Sequence, residues 1–494
     1  MAKTETFKSF TDKWKKYVED NKEASEIPEE DWKQFFAPSN PVAGINFGAL
    51  TDKLNKGQTI SERKTILNEW NNISNHFNEL YKLEPTFSDE EIKQNLKGIR
   101  TYILKKISDN QGRDCKVAIN RLLVTLYPKK LLTIPGEDDV VRLAELLEKS
   151  VDNKDWIDFC FEIKTELENR YPNMMHWWAY LQLVQEKNLT KNFNLILTGA
   201  PGTGKTFLAR QMAANIIKCD VKDLENKDQF GFVQFHPSYD YTDFVEGLRT
   251  TKDINLGQIV FERKDGIFKS FCAKAANDTG KKYVFVIDEI NRGEISKIFG
   301  ELFFSIDPGY RKKKDRILVQ TQYHNLIIED GELPIKEQKL PNDYPFKKGF
   351  YVPENVYVIG TMNDIDRSVE SMDFAFRRRF SFYEVKAEDT QYSILKDCKY
   401  LDTAINKMNS LNKAIENIEG LSSAFHIGAA YFKKIKLYEK ERDCWNLLWN
   451  NHLKGLLFEY LRGLPPKDIK NKMEYLKTVY DKPVEISNDQ SSAI

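Results

Sequence analysis

The sequence predicts an α/β fold in which a parallel five-stranded sheet is covered by helices, preceded by a mainly helical module and followed by a second helical unit. From Phe193 onward, short apolar runs rich in β-branched and aromatic residues alternate with helical stretches, the pattern of a parallel sheet with crossover helices. The first of these runs leads into a glycine-rich loop and then a helix. Before about residue 190 and after about Lys386, apolar positions recur at spacings of three and four and strand-like runs are missing. The expected parts are therefore 1–190, 191–386 and 387–494, and 494 residues is more than one hydrophobic core usually serves.

In the amino-terminal part, turn signals such as Pro38-Ser39-Asn40 and Asp109-Asn110-Gln111-Gly112 separate helical segments. The expected strands are Phe193 to Thr198, Phe230 to Phe235, Tyr283 to Ile287, Asn355 to Gly360 and Phe380 to Val385. Between the third and fourth, Ile295, Ile298, Phe299, Leu302, Phe303 and Ile306 fall on one face of a helix that packs on the sheet. The carboxy-terminal part reads as helices over Ala404 to Ile418 and Trp445 to Arg462.

Composition narrows the function classes. Lys plus Arg and Asp plus Glu both number 74, so no net field draws the whole chain toward nucleic acid or an anionic membrane. The opening residues MAKTETFKSFTDKWKK lack the apolar stretch of a secretory signal, and no run approaches the roughly 20 apolar residues that cross a bilayer. A cytoplasmic protein with no membrane partner is expected. The six cysteines are scattered singly, which predicts reduced, mostly buried thiols.

The chemistry is concentrated in three short stretches. Gly199-Ala200-Pro201-Gly202-Thr203-Gly204-Lys205-Thr206 fits the phosphate-binding loop GxxxxGK[ST] in its strand–loop–helix setting. In a loop formed by Gly199, Pro201, Gly202, Thr203 and Gly204, the backbone N–H groups of the residues other than proline, with those of the helix start, would curl around phosphate oxygens, Lys205 would neutralise them, and the Thr206 hydroxyl would ligate Mg²⁺. Val284-Phe285-Val286-Ile287-Asp288-Glu289 is an apolar strand ending in two carboxylates. Asp288 would hold Mg²⁺ through water and Glu289 would activate the attacking water. Val356 to Asn363 is a third buried strand ending in a polar residue, suited to sensing the γ-phosphate through Asn363. Beyond it, Arg377-Arg378-Arg379 is either a solvated basic turn or a source of arginine fingers for a neighbouring subunit, the reading preferred here.

Together these segments resemble the McrB family of AAA+ GTPases, the motors of modification-dependent restriction systems. The resemblance rests on GAPGTGKTFLAR, FVQFHPSYDYTDFVEGLR, FERKDGIF, YVFVIDEINRGEISKIFGEL, FYVPENVYVIGTMNDIDRS, MDFAFRRRFSF and AFHIGAAYF, in order, from about Leu195 to Tyr431. It implies an AAA+ sheet with a helical lid and a GTP-hydrolysing motor with Mg²⁺. It further implies a homo-oligomeric ring, a hexamer, and an McrC-like endonuclease partner acting on foreign, modified DNA in antiviral defence. Carried over by position, Lys205 and Thr206 bind phosphate and Mg²⁺, Asp288 and Glu289 form the Walker B pair, and Asn363 is the sensor. Arg292, Arg378 and Arg379 would be interface arginines, and Asp366 with Arg367 would close the family's MNTADR signature. The chain departs from the family at Asp364 and Ile365, where Thr and Ala are usual, and at His426, where Arg is usual. A base lies roughly 10 Å from the γ-phosphate, beyond a direct hydrogen bond of about 3 Å from the signature, so guanine selection is expected from the segment before Phe193 or from the lid. The alternative is a MoxR-like ATPase that remodels a protein client.

Three other features are less specific. The run Arg311-Lys312-Lys313-Lys314-Asp315-Arg316 is a solvated loop or, in a ring, the lining of a pore or a contact for an acidic partner. In the amino-terminal module, which the resemblance casts as the DNA-recognising part, Trp14, Trp32, Trp70, Trp177 and Trp178 fit a core better than a stack on a flipped base. Glu162-Ile163-Lys164 matches half of a nuclease ExK site, but no Pro-Asp lies at a suitable distance upstream and the surroundings read as helix, so cleavage is expected on a separate subunit.

Overall fold

A computed structural model describes residues 86–109, 136–171, 176–252, 259–324, 343–365 and 374–482, with isolated positions between 69 and 134. Trp14, Trp32, Trp70, Asp366, Arg367 and the side chain of Trp177 lie outside the described residues. The chain divides into two compact units, one of residues up to Leu181 and the other Gln182–Lys482.

The first unit is helical where described. Helix α1 (Asp89–Asp109) buries Ile92, Leu96, Ile99, Ile103 and Ile107 along one stripe, with three acidic residues in its first turn. Ser88 and Glu91 close its start, the Ser88 N–H donating to the Glu91 carboxylate at 2.7 Å. Helices α2 (Glu137–Leu146) and α3 (Trp156–Arg170) follow, α3 opening on a capping box between Asp155 and Asp158. The half-nuclease residues sit within α3 and their charges are used locally: Glu162 pairs with Lys154 at 2.6 Å and Lys164 with Glu168 at 3.1 Å. Helix α4 (His176–Asn192) carries a half-buried Trp178 and belongs to the second unit from Gln182 on.

The second unit holds the sheet. Its strands are β1 (Asn194–Thr198), β2 (Phe230–Gln234), β5 (Tyr283–Asp288), β6 (Val356–Thr361) and β7 (Ser381–Glu384), in spatial order β2-β5-β6-β1-β7 with every neighbouring pair parallel. All five expected strands are present within a residue or two of their expected ends. The central β6 is buried at every position, as a strand covered on both faces must be. Helix α5 (Lys205–Ile217) follows β1, and α7 (Ile267–Asn277) covers the aromatic layer, in which Phe244 stacks on Phe268 at 4.8 Å and Phe268 meets Phe285 edge-on at 5.1 Å.

The structure departs from the sequence reading in three places. A hairpin of β3 (Glu246–Lys252) and β4 (Ile259–Asp265), antiparallel, follows the short helix α6 (Tyr241–Phe244) and was not foreseen. Its base is fixed by buried ions: Glu246 accepts from Arg263 at 2.7 Å and Lys269 at 2.6 Å, and Arg263 also pairs with Asp265 at 2.7 Å. The single helix expected over 295–306 is broken into α8 (Ile295–Phe299) and α9 (Leu302–Ser305) at Gly300, whose φ of 48° and ψ of −129° no helix accommodates. The apolar face survives the break, with Ile298, Phe299, Leu302 and Ile306 all buried. Arg311 is not part of a solvated or pore-lining run. It is fully buried over the Phe193 ring, donating to Asn194 Oδ1 at 3.2 Å and to the carbonyls of Pro353 and Val356. Lys312, Lys313 and Lys314 are exposed, as a solvated loop requires.

After the short helix α10 (Phe374–Arg377) and β7, the lid comprises α11 (Gln391–Leu395), α12 (Leu401–Glu416), α13 (Ala429–Lys433), α14 (Cys444–Leu448), α15 (Lys454–Leu461) and α16 (Pro466–Asp481). They enclose a core of their own around Met408, Leu411, Ile415, Phe432, Leu448 and Leu453. Of the described cysteines, Cys160, Cys272, Cys398 and Cys444 are buried, Cys219 is partly exposed, and all are free thiols. Among the described residues, no helix is long and apolar enough to cross a membrane.

Candidate active site

The glycine-rich loop links the end of β1 to the start of α5, at the carboxyl edge of the parallel sheet where such folds place their ligands. Gly202 adopts φ 76°, and a Cβ there would stand 2.7 Å from the Tyr431 ring, so only glycine lets the lid come this close. Thr203 is buried and its hydroxyl donates to Ala200 O at 3.0 Å, closing the turn before Gly204. Lys205 is buried, and its Nζ donates to Gly199 O at 2.9 Å and Ala200 O at 2.8 Å. Burial pulls its pKa down to about 8, against the nearby carboxylates of Glu289, Asp364 and Asp288, which push it up.

Asp288 ends β5 beside the loop. Its Oδ1 accepts from the Thr206 hydroxyl at 2.7 Å and from the Thr361 hydroxyl at 2.6 Å. A carboxylate and a hydroxyl oxygen side by side make the hard, all-oxygen set that suits Mg²⁺. The Thr361 hydroxyl also accepts from the Glu289 N–H at 3.2 Å. Glu289 has φ 52° and ψ 45°, a left-handed conformation that costs a non-glycine residue roughly 1–2 kcal/mol. Its carboxylate is aimed by two donors, Asn363 Nδ2 at 2.8 Å and Arg292 Nε at 3.2 Å. Asn291, two residues after Glu289, donates to Asn363 O at 3.3 Å and ties the two strand ends together.

The structure thus brings together Lys205, Thr206, Asp288, Glu289, Arg292 and Asn363. Thr361 is the member that sequence reasoning missed, although a hydroxyl residue closing an apolar strand two positions before Asn363 was a usable signal. The arginines divide. Arg378 is exposed, whereas Arg379 is buried, with its guanidinium donating to Ala375 O, 3.5 Å from Asp307 and over the Phe303 ring. Arg379 is therefore corrected from interface arginine to internal brace, because a finger for a neighbour has to stand clear of its own core. His426, in the lid, lies 3.0 Å from Glu416; burial lowers its pKa, while Glu416 and Glu388 oppose that shift.

The lid meets the loop through the backbone. Gly428 N donates to Pro201 O at 3.0 Å, Ala430 N donates to Gly202 O at 3.1 Å, and the Thr390 hydroxyl donates to Thr203 O.

The glycine-rich loop, the carboxylate pair and Asn363 follow neighbouring strands of a β2-β5-β6-β1-β7 sheet, and the model of the AAA domain, dynein-related subfamily, matches residues 194–380. More particularly, this region is similar to subunits of two restriction enzymes. The chain is 38% identical over 254 residues to the type IV methyl-directed restriction enzyme EcoKMcrB subunit of Escherichia coli strain K12, covering 50% of this chain and 48% of that one. It is 24% identical over 216 residues to the type II restriction enzyme BsuMI component YdiS of Bacillus subtilis strain 168, covering 40% of this chain and 57% of that one. The chain thus spans about half the length of the curated relatives it matches. Among solved structures, NtrX from Brucella abortus aligns at 12% identity over 68% of this chain and 61% of that one with a TM-score of 0.26, too low to bear on the fold.

Proposed function

We propose that this protein is a GTP-hydrolysing motor that assembles into a homo-oligomeric ring, a hexamer, and stimulates an McrC-like endonuclease against modified DNA in the cytoplasm. The observation that carries this reading is the Glu289 carboxylate, held between Asn363 and Arg292 next to the Asp288–Thr206 pair, in a region 38% identical over 254 residues to a subunit of a methyl-directed restriction enzyme. Residues 191–386 serve as the nucleotide-binding domain, 387–494 as the lid and tail, and 1–190 as the DNA-recognising module.

In the proposed mechanism, N–H groups of Gly202, Thr203 and Gly204 in the loop and the Lys205 ammonium bind the β- and γ-phosphates. Thr206 and Asp288, the latter through water, would hold Mg²⁺, which would supply neutralisation of phosphate charge. Glu289 takes the proton of the attacking water while Asn363 and Arg292 keep its carboxylate in place. Arg378, exposed at the turn before β7, reaches the γ-phosphate of the neighbouring subunit.

The test is DNA cleavage by the Glu289→Gln protein reconstituted with an McrC-like subunit, read beside its GTP turnover. Turnover falls by roughly 10² or more, and cleavage falls with it. Undiminished cleavage without hydrolysis refutes the motor and leaves a GTP-gated scaffold; ATP turned over faster than GTP refutes the nucleotide assignment.

A further inference from the structure

Gln182 and Asp389 are buried polar side chains, 0% and 3% exposed, each with one acceptor oxygen that meets no donor among the described residues. Gln182 lies on α4, ahead of β1, and its amide donates to the Tyr383 hydroxyl at 3.2 Å, leaving Oε1 over. Tyr383 is on β7, opposite Leu197 of β1. Burial, and secondly the Asp389 carboxylate near it, hold the Tyr383 phenol above its usual range. Asp389 opens the lid; its Oδ2 accepts from Lys386 N at 2.9 Å and its Oδ1 is left over. Burial pushes this carboxyl up to about 7. Buried acceptors without donors are costly, on the order of 1–3 kcal/mol each, and in a native site they commonly await a ligand.

Their place in the sheet says which part of the ligand. The groups suited to the γ-phosphate, Glu289 and Asn363, follow β5 and β6, on one side of β1. Tyr383 and Asp389 lie on and just after β7, on the other side of β1, and Thr390 beside Asp389 bonds the loop at Thr203. A triphosphate laid along the loop with its γ end toward β6 has its base toward β7 and the lid.

We propose that Gln182, Tyr383 and Asp389 read the Watson–Crick edge of a guanine base, with Asp389 Oδ1 and Gln182 Oε1 accepting from the N1–H and the 2-amino group. This rests on the GTP reading above and names the residues that select the base. The edge of guanine offers these adjacent donors, whereas adenine sets a bare N1 acceptor against the carboxylate, so acceptors in excess fit guanine and repel adenine.

Equilibrium affinities of the full chain for GTP, ITP, XTP and ATP, measured by displacement of a fluorescent guanine nucleotide, test this. Wild type binds ITP, which lacks the 2-amino group, roughly 10-fold more weakly than GTP. Asp389→Asn loses roughly 10- to 100-fold for GTP and gains for XTP, whose C2 oxygen accepts where guanine donates. Equal loss for GTP and ATP means that Asp389 only supports the fold, and unchanged GTP binding or equal ITP and GTP affinity in wild type overturns the assignment. Wild type binding ATP more tightly than GTP overturns the GTP reading itself, an outcome visible without any variant.

Discussion

Thr361→Val removes one oxygen from the site and almost nothing else. Valine has the shape of threonine, and the side chain is buried on β6, so packing is retained while two hydrogen bonds vanish. Asp288 Oδ1 loses the donor at 2.6 Å, a bond to a charged group that contributes roughly 1.5–3 kcal/mol. The Glu289 N–H loses its acceptor at 3.2 Å, and an orphaned amide costs about 1–3 kcal/mol. That same amide helps hold Glu289 at φ 52°, so without it the residue relaxes toward ordinary backbone angles and its carboxylate moves off the water it must activate. A displacement of about 1 Å can cost on the order of 10² in rate. The expected outcome is a nucleotide hydrolysis rate 10- to 100-fold lower at saturating nucleotide, with a loss of roughly 2.5–6 kcal/mol in unfolding free energy. Steady-state phosphate release and urea melts of the same preparation measure both. A folded Thr361→Val protein turning over within about twofold of wild type, well short of the 10² that misplacement costs, would falsify the claim that this hydroxyl positions Glu289.

Three further outcomes follow from the geometry. Arg378→Ala and Glu289→Gln, each inactive alone, regain turnover when mixed, because one interface of a mixed ring pairs an intact arginine with an intact glutamate; no recovery despite verified co-assembly counts against an arginine acting in trans. Asp389, at about 7 when folded against about 3.9 in an unfolded chain, contributes stability that is complete below pH 4 and is lost as pH rises through 7. Asp389→Asn therefore gains on wild type between pH 4 and 8, by up to about 4 kcal/mol in chemical denaturation, and parallel curves sink the idea. A Cβ on Gly428 would stand 2.0 Å from Gly202 C, so Gly428→Ala pushes the lid off the loop and weakens nucleotide binding by up to about tenfold, as loss of one backbone hydrogen bond would; wild-type affinity in a binding titration would show that the contact is dispensable.

The strands, and the gathering of Lys205, Thr206, Asp288, Glu289 and Asn363 at their ends, were legible in the sequence because both are local: an apolar run followed by Gly-x-x-x-x-Gly-Lys-Thr or Asp-Glu specifies its own surroundings. Glu246, Arg263 and Lys269 were not, since each looks like a surface ion until β3 and β4 pair across 17 residues and bury them together. The same holds for Arg311, which reads as the first of a basic run and serves instead as a bolt beneath β1 and β6. Charge in a sequence reports solvation only when its partners are near in the chain. Arg378 and Arg379 make the point at the site: neighbours of one type, one facing out and the other turned in beneath Phe303.

The three bonds from Gly428, Ala430 and Thr390 fall on the carbonyls of Pro201, Gly202 and Thr203, consecutive residues of the loop. A guest can leave the crevice between sheet and lid only as fast as this short seam opens. Dwell time on the protein is then set by how often the lid breathes rather than by how tightly phosphate is gripped, and the cycle acquires a clock whose period is tuned from the lid's core, far from any reacting atom.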